Sequence, residues 1–156
     1  MITIFVIITF IMDMLSKIAV VKYINLGESI EIINKFLYLT NVRNTGAAWS
    51  LFDNSRYFVL FISAIIIGVL IGYIIKDKSQ SKVEKAAYGF ILGGAIGNFA
   101  NRVLYGYVID FIDIKIFNYD YPIFNLADTF IVIGVILFII YTWRCNDGNK
   151  SRKQQS

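Results

Sequence analysis

The chain reads as an all-α membrane protein with four transmembrane helices and a small extracytoplasmic β-element. Three observations predict this class. Hydrophobic residues fill 57% of the 156 positions and charged residues only 17%, where a soluble domain carries about a quarter charged residues. Four apolar stretches approach the roughly 20 residues that a bilayer-spanning helix needs. The basic residues behind the net charge of +4 gather at the ends of those stretches. That placement suits membrane topology and argues against a nucleic-acid partner.

The first stretch runs from Met1 to about Lys22 and is interrupted by Asp13, Ser16 and Lys17. It has no basic n-region and no small-x-small cleavage site, so it reads as a span rather than a cleaved leader. The second, 57–75, carries no charge. The third, 86–105, contains Asn98, Asn101 and Arg102, and the fourth, 123–143, contains Asn125 and Asp128. These spans make one domain, 1–143, followed by a polar tail, 144–156, that is expected to be disordered.

Orientation follows from the lysines. Residues 76–85 hold four lysines in ten positions, and the tail holds Arg144, Lys150, Arg152 and Lys153. By the positive-inside rule this loop and both termini lie in the cytoplasm, and segments 23–56 and 106–122 lie outside. Within the outer segments, SIEII, KFLYLTNV and FIDIKIF are β-branched and aromatic with partial alternation. They predict short strands forming a sheet that could hold an extended peptide.

Asp13, Ser16 and Lys17 fall on one helix face. An aspartate and a lysine there can neutralise each other inside the membrane. A Ser16/Lys17 hydrolase dyad would need a neutral lysine, which Asp13 opposes, so the ion pair is the favoured reading. Asn44-Thr45-Gly46 is a turn signal that could also present the Asn44 amide. Gly89, Gly93 and Gly97, with Gly94 beside them, form a small-xxx-small packing face. Asn98 and Arg102 extend that stripe towards the outer end, where Arg102 can snorkel or meet a carboxylate.

Asn125 and Asp128 have the spacing of an N-cap and its acidic N3 residue. Asp128 would then lie at the outer interface, and Asp110 lies just beyond the third span. Two neighbouring carboxyls can share one proton, one acting as base on water and the other as acid on a carbonyl oxygen. From charge alone, Asp113 could replace Asp110. Three apart on a strand, the two point to opposite faces, so only one can face the site. With no histidine in the chain, His-ligated metals and His-based nucleophile pairs are excluded within it. The single cysteine, Cys145, cannot form an internal disulfide.

The ordered motifs Asp13-x-x-Ser16-Lys17, Asn44-x-Gly46-Ala47, Gly93-Gly94-Ala95-x-Gly97-Asn98-x-x-Asn101-Arg102, Val108-x-Asp110-Phe111 and Phe124-Asn125-x-Ala127-Asp128 resemble those of the lipoprotein signal peptidases, or type II signal peptidases. The resemblance implies a bacterial cell-membrane aspartyl endopeptidase with its active site at the outer face. It would remove the signal peptide from diacylglyceryl-modified prolipoproteins just before the lipidated cysteine. It also implies Asp110 and Asp128 as the catalytic dyad, supported by Asp13, Lys17, Asn44, Gly46, Asn98, Asn101, Arg102 and Asn125. Asp113 is left on a surface strand beside Lys115. No cofactor or metal is implied; membrane lipids and a globomycin-type inhibitor are expected partners. Where the family has an aspartate this chain has Asn101, which cannot form a charged pair with Arg102. The rival reading is a non-enzymatic transporter or assembly factor with buried ion pairs. Its charges would lie near the midplane, whereas these lie towards the outer end.

Overall fold

The computed structural model describes residues 1–46, 56–77, 81–116 and 119–153. Ala47 of the second motif, residues 78–80 of the lysine-rich loop and the Cys145 side chain lie outside the described part. The elements in chain order are α1 (Ile2–Tyr23), β1 (Ser29–Ile33), β2 (Leu37–Asn44), α2 (Arg56–Lys76), α3 (Lys82–Tyr105), β3 (Val108–Ile116), β4 (Tyr119–Asp120) and α4 (Leu126–Lys153). Among the described residues, α1, α2 and the Leu126–Arg144 part of α4 are long and apolar enough to cross a membrane. At 24 residues α3 has the length, but its glycines, asparagines and Arg102 dilute its hydropathy.

The composition of α3 reflects its position between α1 and α4. Gly89 lies against Phe5, Gly93 against Thr9 and Gly97 against Asp13, so α3 runs parallel to α1 with their backbones in close approach. On its other side Gly94 lies on the Ala127 carbonyl, and Gly134 of α4 returns the contact to Ala87 and Ile91. At each of these positions a Cβ would collide with its neighbour, so the predicted glycine face is a packing face on two sides. Phe90 bridges the helices above it, with ring centroids 5.6 Å from Phe5 and 5.8 Å from Phe130.

At its start α3 has a capping box that the sequence reading did not single out. Ser81 Oγ accepts from the Glu84 N–H, and Glu84 Oε2 accepts from the Ser81 N–H. The Tyr88 hydroxyl lies 3.0 Å from Asp77 and 3.1 Å from Glu84. The tail also differs from expectation: α4 continues past Arg144 to Lys153. A formed helix propagates readily, since each further residue adds a hydrogen bond without repeating the cost of nucleation, and no proline interrupts this stretch.

The expected outer strands form one antiparallel sheet of order β1-β2-β3-β4. β1 is exposed along its length, whereas β3 is buried from Val108 to Phe111. Ile109 and Phe111 pack on Val20 and Ile24 at the end of α1, which seats the sheet on the helices. Asn41 secures that junction by donating from Nδ2 to the Ile24 carbonyl at 2.7 Å. A bulge in β2 sets three steps, Leu39 to Val42, against two steps of β3, Ile112 to Asp110. Asp113, expected as a solvated surface charge, is only 8% exposed. It lies opposite Tyr38 in the strand register, and β3 is an inner strand with neighbours on both edges. Lys115 turns to the Tyr38 ring, 4.9 Å from its centroid.

Candidate active site

The site forms where β3 meets the first turn of α4. Phe124 joins them: its carbonyl accepts from the N–H groups of Phe111 and Ile112 at 2.9 and 2.7 Å, and its N–H donates to the Ile112 carbonyl. This seam places Asn125, fully buried, beside Asp110. Asn125 is the N-cap of α4, as its spacing predicts. Its Oδ1 accepts from the Asp128 N–H at 3.1 Å, and Asp128 Oδ2 accepts from the Asn125 N–H at 3.2 Å.

Three asparagines surround the two carboxyls. Asn125 Nδ2 donates to Asp110 Oδ1 at 2.6 Å, and Asn44 Nδ2 donates to Asp110 Oδ2 at 2.8 Å. Asn98 Nδ2 donates to Asp128 Oδ1 at 2.7 Å, and Asn98 Oδ1 accepts from Asn125 Nδ2 at 3.2 Å. The Asn125 amide therefore touches the Asp110 carboxyl and the Asp128 backbone, and is linked to the Asp128 carboxyl through Asn98. Asp110, Asp128 and all three asparagines line a cavity of about 310 Å³. Capping accounts for Asp128 Oδ2 alone; the capping residue and Asp128 Oδ1 are both tied into the polar cluster.

Burial pushes the Asp110 carboxyl up to about 6. The bonds from Asn44 and Asn125 pull it down, and the charge of Asp128 pushes it up again. A carboxyl in that range can hold or release a proton near neutrality. Asp113, on the opposite face of β3, is absent from the cavity lining.

Beneath the cavity lies the expected ion pair. Lys17 Nζ is 2.8 Å from Asp13 Oδ2, and both side chains are almost wholly buried. Asp13 Oδ1 accepts from the Ala127 N–H at 3.0 Å, so α1 caps the first turn of α4. Lys17 also donates to Asn98 Oδ1 at 2.9 Å. The Ser16 hydroxyl donates to the Asp13 carbonyl at 2.7 Å, so it is engaged with its own helix while Lys17 is engaged by Asp13.

The remaining expected residues divide. Gly46 is held by the site: its N–H donates to Asn44 Oδ1 at 3.0 Å, and its carbonyl accepts from Arg102 Nη2 at 3.0 Å. Arg102 lines the cavity. Asn101 is buried on another side of α3, where it accepts from the Ile109 N–H at 3.4 Å and lies 3.6 Å from Met14 Sδ. Its carboxamide therefore supports β3 rather than Arg102. Two contributors had not been expected, the Ala127 N–H and Phe124. Both act through backbone atoms, which no side-chain pattern announces.

Comparison with known proteins agrees with this geometry. The family model for signal peptidase (SPase) II matches residues 5–144. The lipoprotein signal peptidase of Staphylococcus carnosus (strain TM300) is 42% identical over 130 residues, covering 83% of this chain and 82% of the relative. Two solved structures described as bacterial membrane enzymes, obtained by the in meso method, superpose with TM-scores of 0.85 and 0.80. They are 38% and 40% identical, covering 94% and 90% of this chain and 90% and 91% of their own. The chain belongs to the signal peptidase II family.

Proposed function

We propose that this chain is an intramembrane aspartic endopeptidase that removes signal peptides from lipid-modified prolipoproteins, with Asp110 and Asp128 as its catalytic pair. The observation that carries this reading is the meeting of the two carboxyls, one from β3 and one from α4, at one cavity, where Asn125 Nδ2 donates to Asp110 and to Asn98 Oδ1, and Asn98 Nδ2 donates to Asp128. In the reaction one carboxyl, ionised, takes a proton from water as the water oxygen attacks the scissile carbonyl carbon. The other gives its proton to the carbonyl oxygen. The gem-diol then collapses: one hydroxyl returns its proton to the carboxylate left by the first step as the C–N bond breaks, and the leaving nitrogen takes the proton held by the other carboxyl.

A second cavity, about 420 Å³ and mostly apolar, opens beside Asp128 between Ile114, Ile116 and Ile133. It suits an acyl chain and supports cleavage beside a lipidated cysteine. A globomycin-type inhibitor would occupy the cavity between the carboxyls.

We place α3 as a fourth span. Its parallel register with α1 over three successive glycine contacts supports a crossing at the same depth. The lysine-rich loop supports cytoplasmic termini and a site at the outer face. Cysteines at Ile32 and Lys82, on a Cys145→Ser background, test this orientation. Position 32 should react with an impermeant thiol reagent in intact cells and position 82 should not; the reverse pattern inverts the topology.

The activity is tested with purified protein and a lipidated precursor. Asp110→Asn and Asp128→Asn should each lower turnover by about 10⁴-fold or to below detection, while Asp113→Asn stays within a few-fold of wild type. Near-normal cleavage by either dyad variant, at matched folded protein, removes the assignment.

A further inference from the structure

Each of the three asparagines at the site has its amide direction dictated by a group that can only donate. For Asn44 this is the Gly46 N–H, and for Asn125 the Asp128 N–H, each on Oδ1. For Asn98 it is different in kind: the donor on Oδ1 is the buried ammonium of Lys17. An ammonium has three donors and no acceptor. The Asn98 carbonyl oxygen must therefore turn towards Lys17, which leaves its NH₂ facing Asp128. Were the amide reversed, its NH₂ would meet the ammonium and its oxygen would meet the Asp128 carboxylate.

We infer that Lys17 is a positioning residue of the reaction, locking the Asn98 amide so that Asp128 is held as the ionised carboxylate of the pair and Asp110 carries the proton. The inference rests on the dyad reading above and adds the direction of proton transfer: Asp128 takes the proton from water, and Asp110 protonates the carbonyl oxygen. The asymmetry comes from charge. All four carboxyl oxygens accept an N–H, but only the donor to Asp128 Oδ1 is itself hydrogen-bonded to a cation. Such a bond is polarised along its length and favours an anion at its far end. Asp13 keeps Lys17 charged and in place through its 2.8 Å contact. The charged groups that act on Asp128 are Lys17 and Asp13 of α1, Arg102 of α3 and Asp110 of β3. Lys17 is 1% exposed and lines neither of the two cavities described above, so it acts through Asn98 and not on substrate.

The test is the double variant Asp13→Asn/Lys17→Met, which removes both buried charges together. It avoids leaving one unpaired and keeps an acceptor for the Ala127 N–H. With a lipidated precursor, kcat should fall about a hundredfold while KM stays within twofold, and the acid limb of the kcat/KM profile should move to higher pH. A purely structural role would lower the folded fraction without moving the limb. A wild-type kcat and pH profile at matched folded protein overturns the proposal. Should the double variant fail to fold, Asn98→Ala, which leaves the ion pair intact, must show the same limb shift; an unshifted limb there also overturns it. Asp110→Asn, assayed in parallel, separates the two readings. If it cleaves, the dyad is wrong; if it is dead while the double variant behaves as wild type, only the lock is wrong.

Discussion

α2 and α3 pack against each other, yet their compositions differ in nearly every respect. α2 is uncharged from Tyr57 to Ile75, and its span has a mean hydropathy of 2.9 with 6% of it buried. α3 carries four glycines, two asparagines and an arginine between Gly89 and Arg102, and most of that length is buried or half-buried. In water the most apolar segment would be the core. In a bilayer, lipid is as apolar as leucine, so hydropathy marks the lipid-facing helix and close packing falls to small and polar residues. The helix that composition ranks last as a span is the one that α1 and α4 hold on both sides.

That contrast can be broken most directly at the glycines. In Gly94→Ala the new methyl would overlap the Ala127 carbonyl of α4, a backbone atom that cannot swing aside. We expect a loss of about 1–3 kcal/mol, read as a lower midpoint of thermal unfolding in detergent. The same variant should lose activity, because Ala127 lies in the turn that carries Asp128. An unchanged midpoint would show that the two backbones are not in contact. A subtler effect belongs to Asn44→Ala. Its amide stabilises the ionised form of Asp110, whose pKa is about 6. Removing that bond makes the proton harder to lose, so the pKa rises. The basic limb of the kcat/KM profile, where the dyad loses its shared proton, should move up by a measurable fraction of a pH unit. A fixed limb would detach Asn44 from Asp110. The smallest change is expected at Gly68→Ala on α2. Among the described residues nothing lies within 4 Å of the added methyl, and the gain in helix propensity is about 0.5–1 kcal/mol. A midpoint that falls as far as in Gly94→Ala would erase the distinction between the two helices.

Much of the architecture was legible because it rests on local pattern. Three of the four expected spans, the strands within FIDIKIF and KFLYLTNV, the glycine face and the Asn125–Asp128 cap each lie within one short stretch of chain. What was not legible depends on partners far apart. Lys17 and Asn98 are 81 positions apart, and Asp13 and Ala127 are 114 apart. No periodicity links such pairs, and in the second the donor is a backbone N–H that any residue but proline would supply. Asp113 was misjudged because alternation reports which face a side chain takes and not how thickly that face is covered. The Arg102 contact with the Gly46 carbonyl was likewise invisible, since its acceptor carries no side-chain signature. The Ser81–Glu84 cap was a missed signal, because Ser-x-x-Glu stands openly in the sequence ahead of the apolar run.

The hydrogen bond from Ala127 to Asp13 has a consequence for biogenesis. A chain emerging from the ribosome offers α1 first and α4 last. Until α4 enters the membrane, Asp13 lacks its Ala127 partner, Asn98 has no carboxylate to hold, and Asp110 has neither Asn125 nor Asp128 beside it. Every partial product of synthesis is therefore without a complete site. With Asp110 and Asp128 as the proposed catalytic pair, hydrolytic competence would arrive at one moment, with α4, and a nascent or truncated copy would not cut neighbouring polypeptides during insertion.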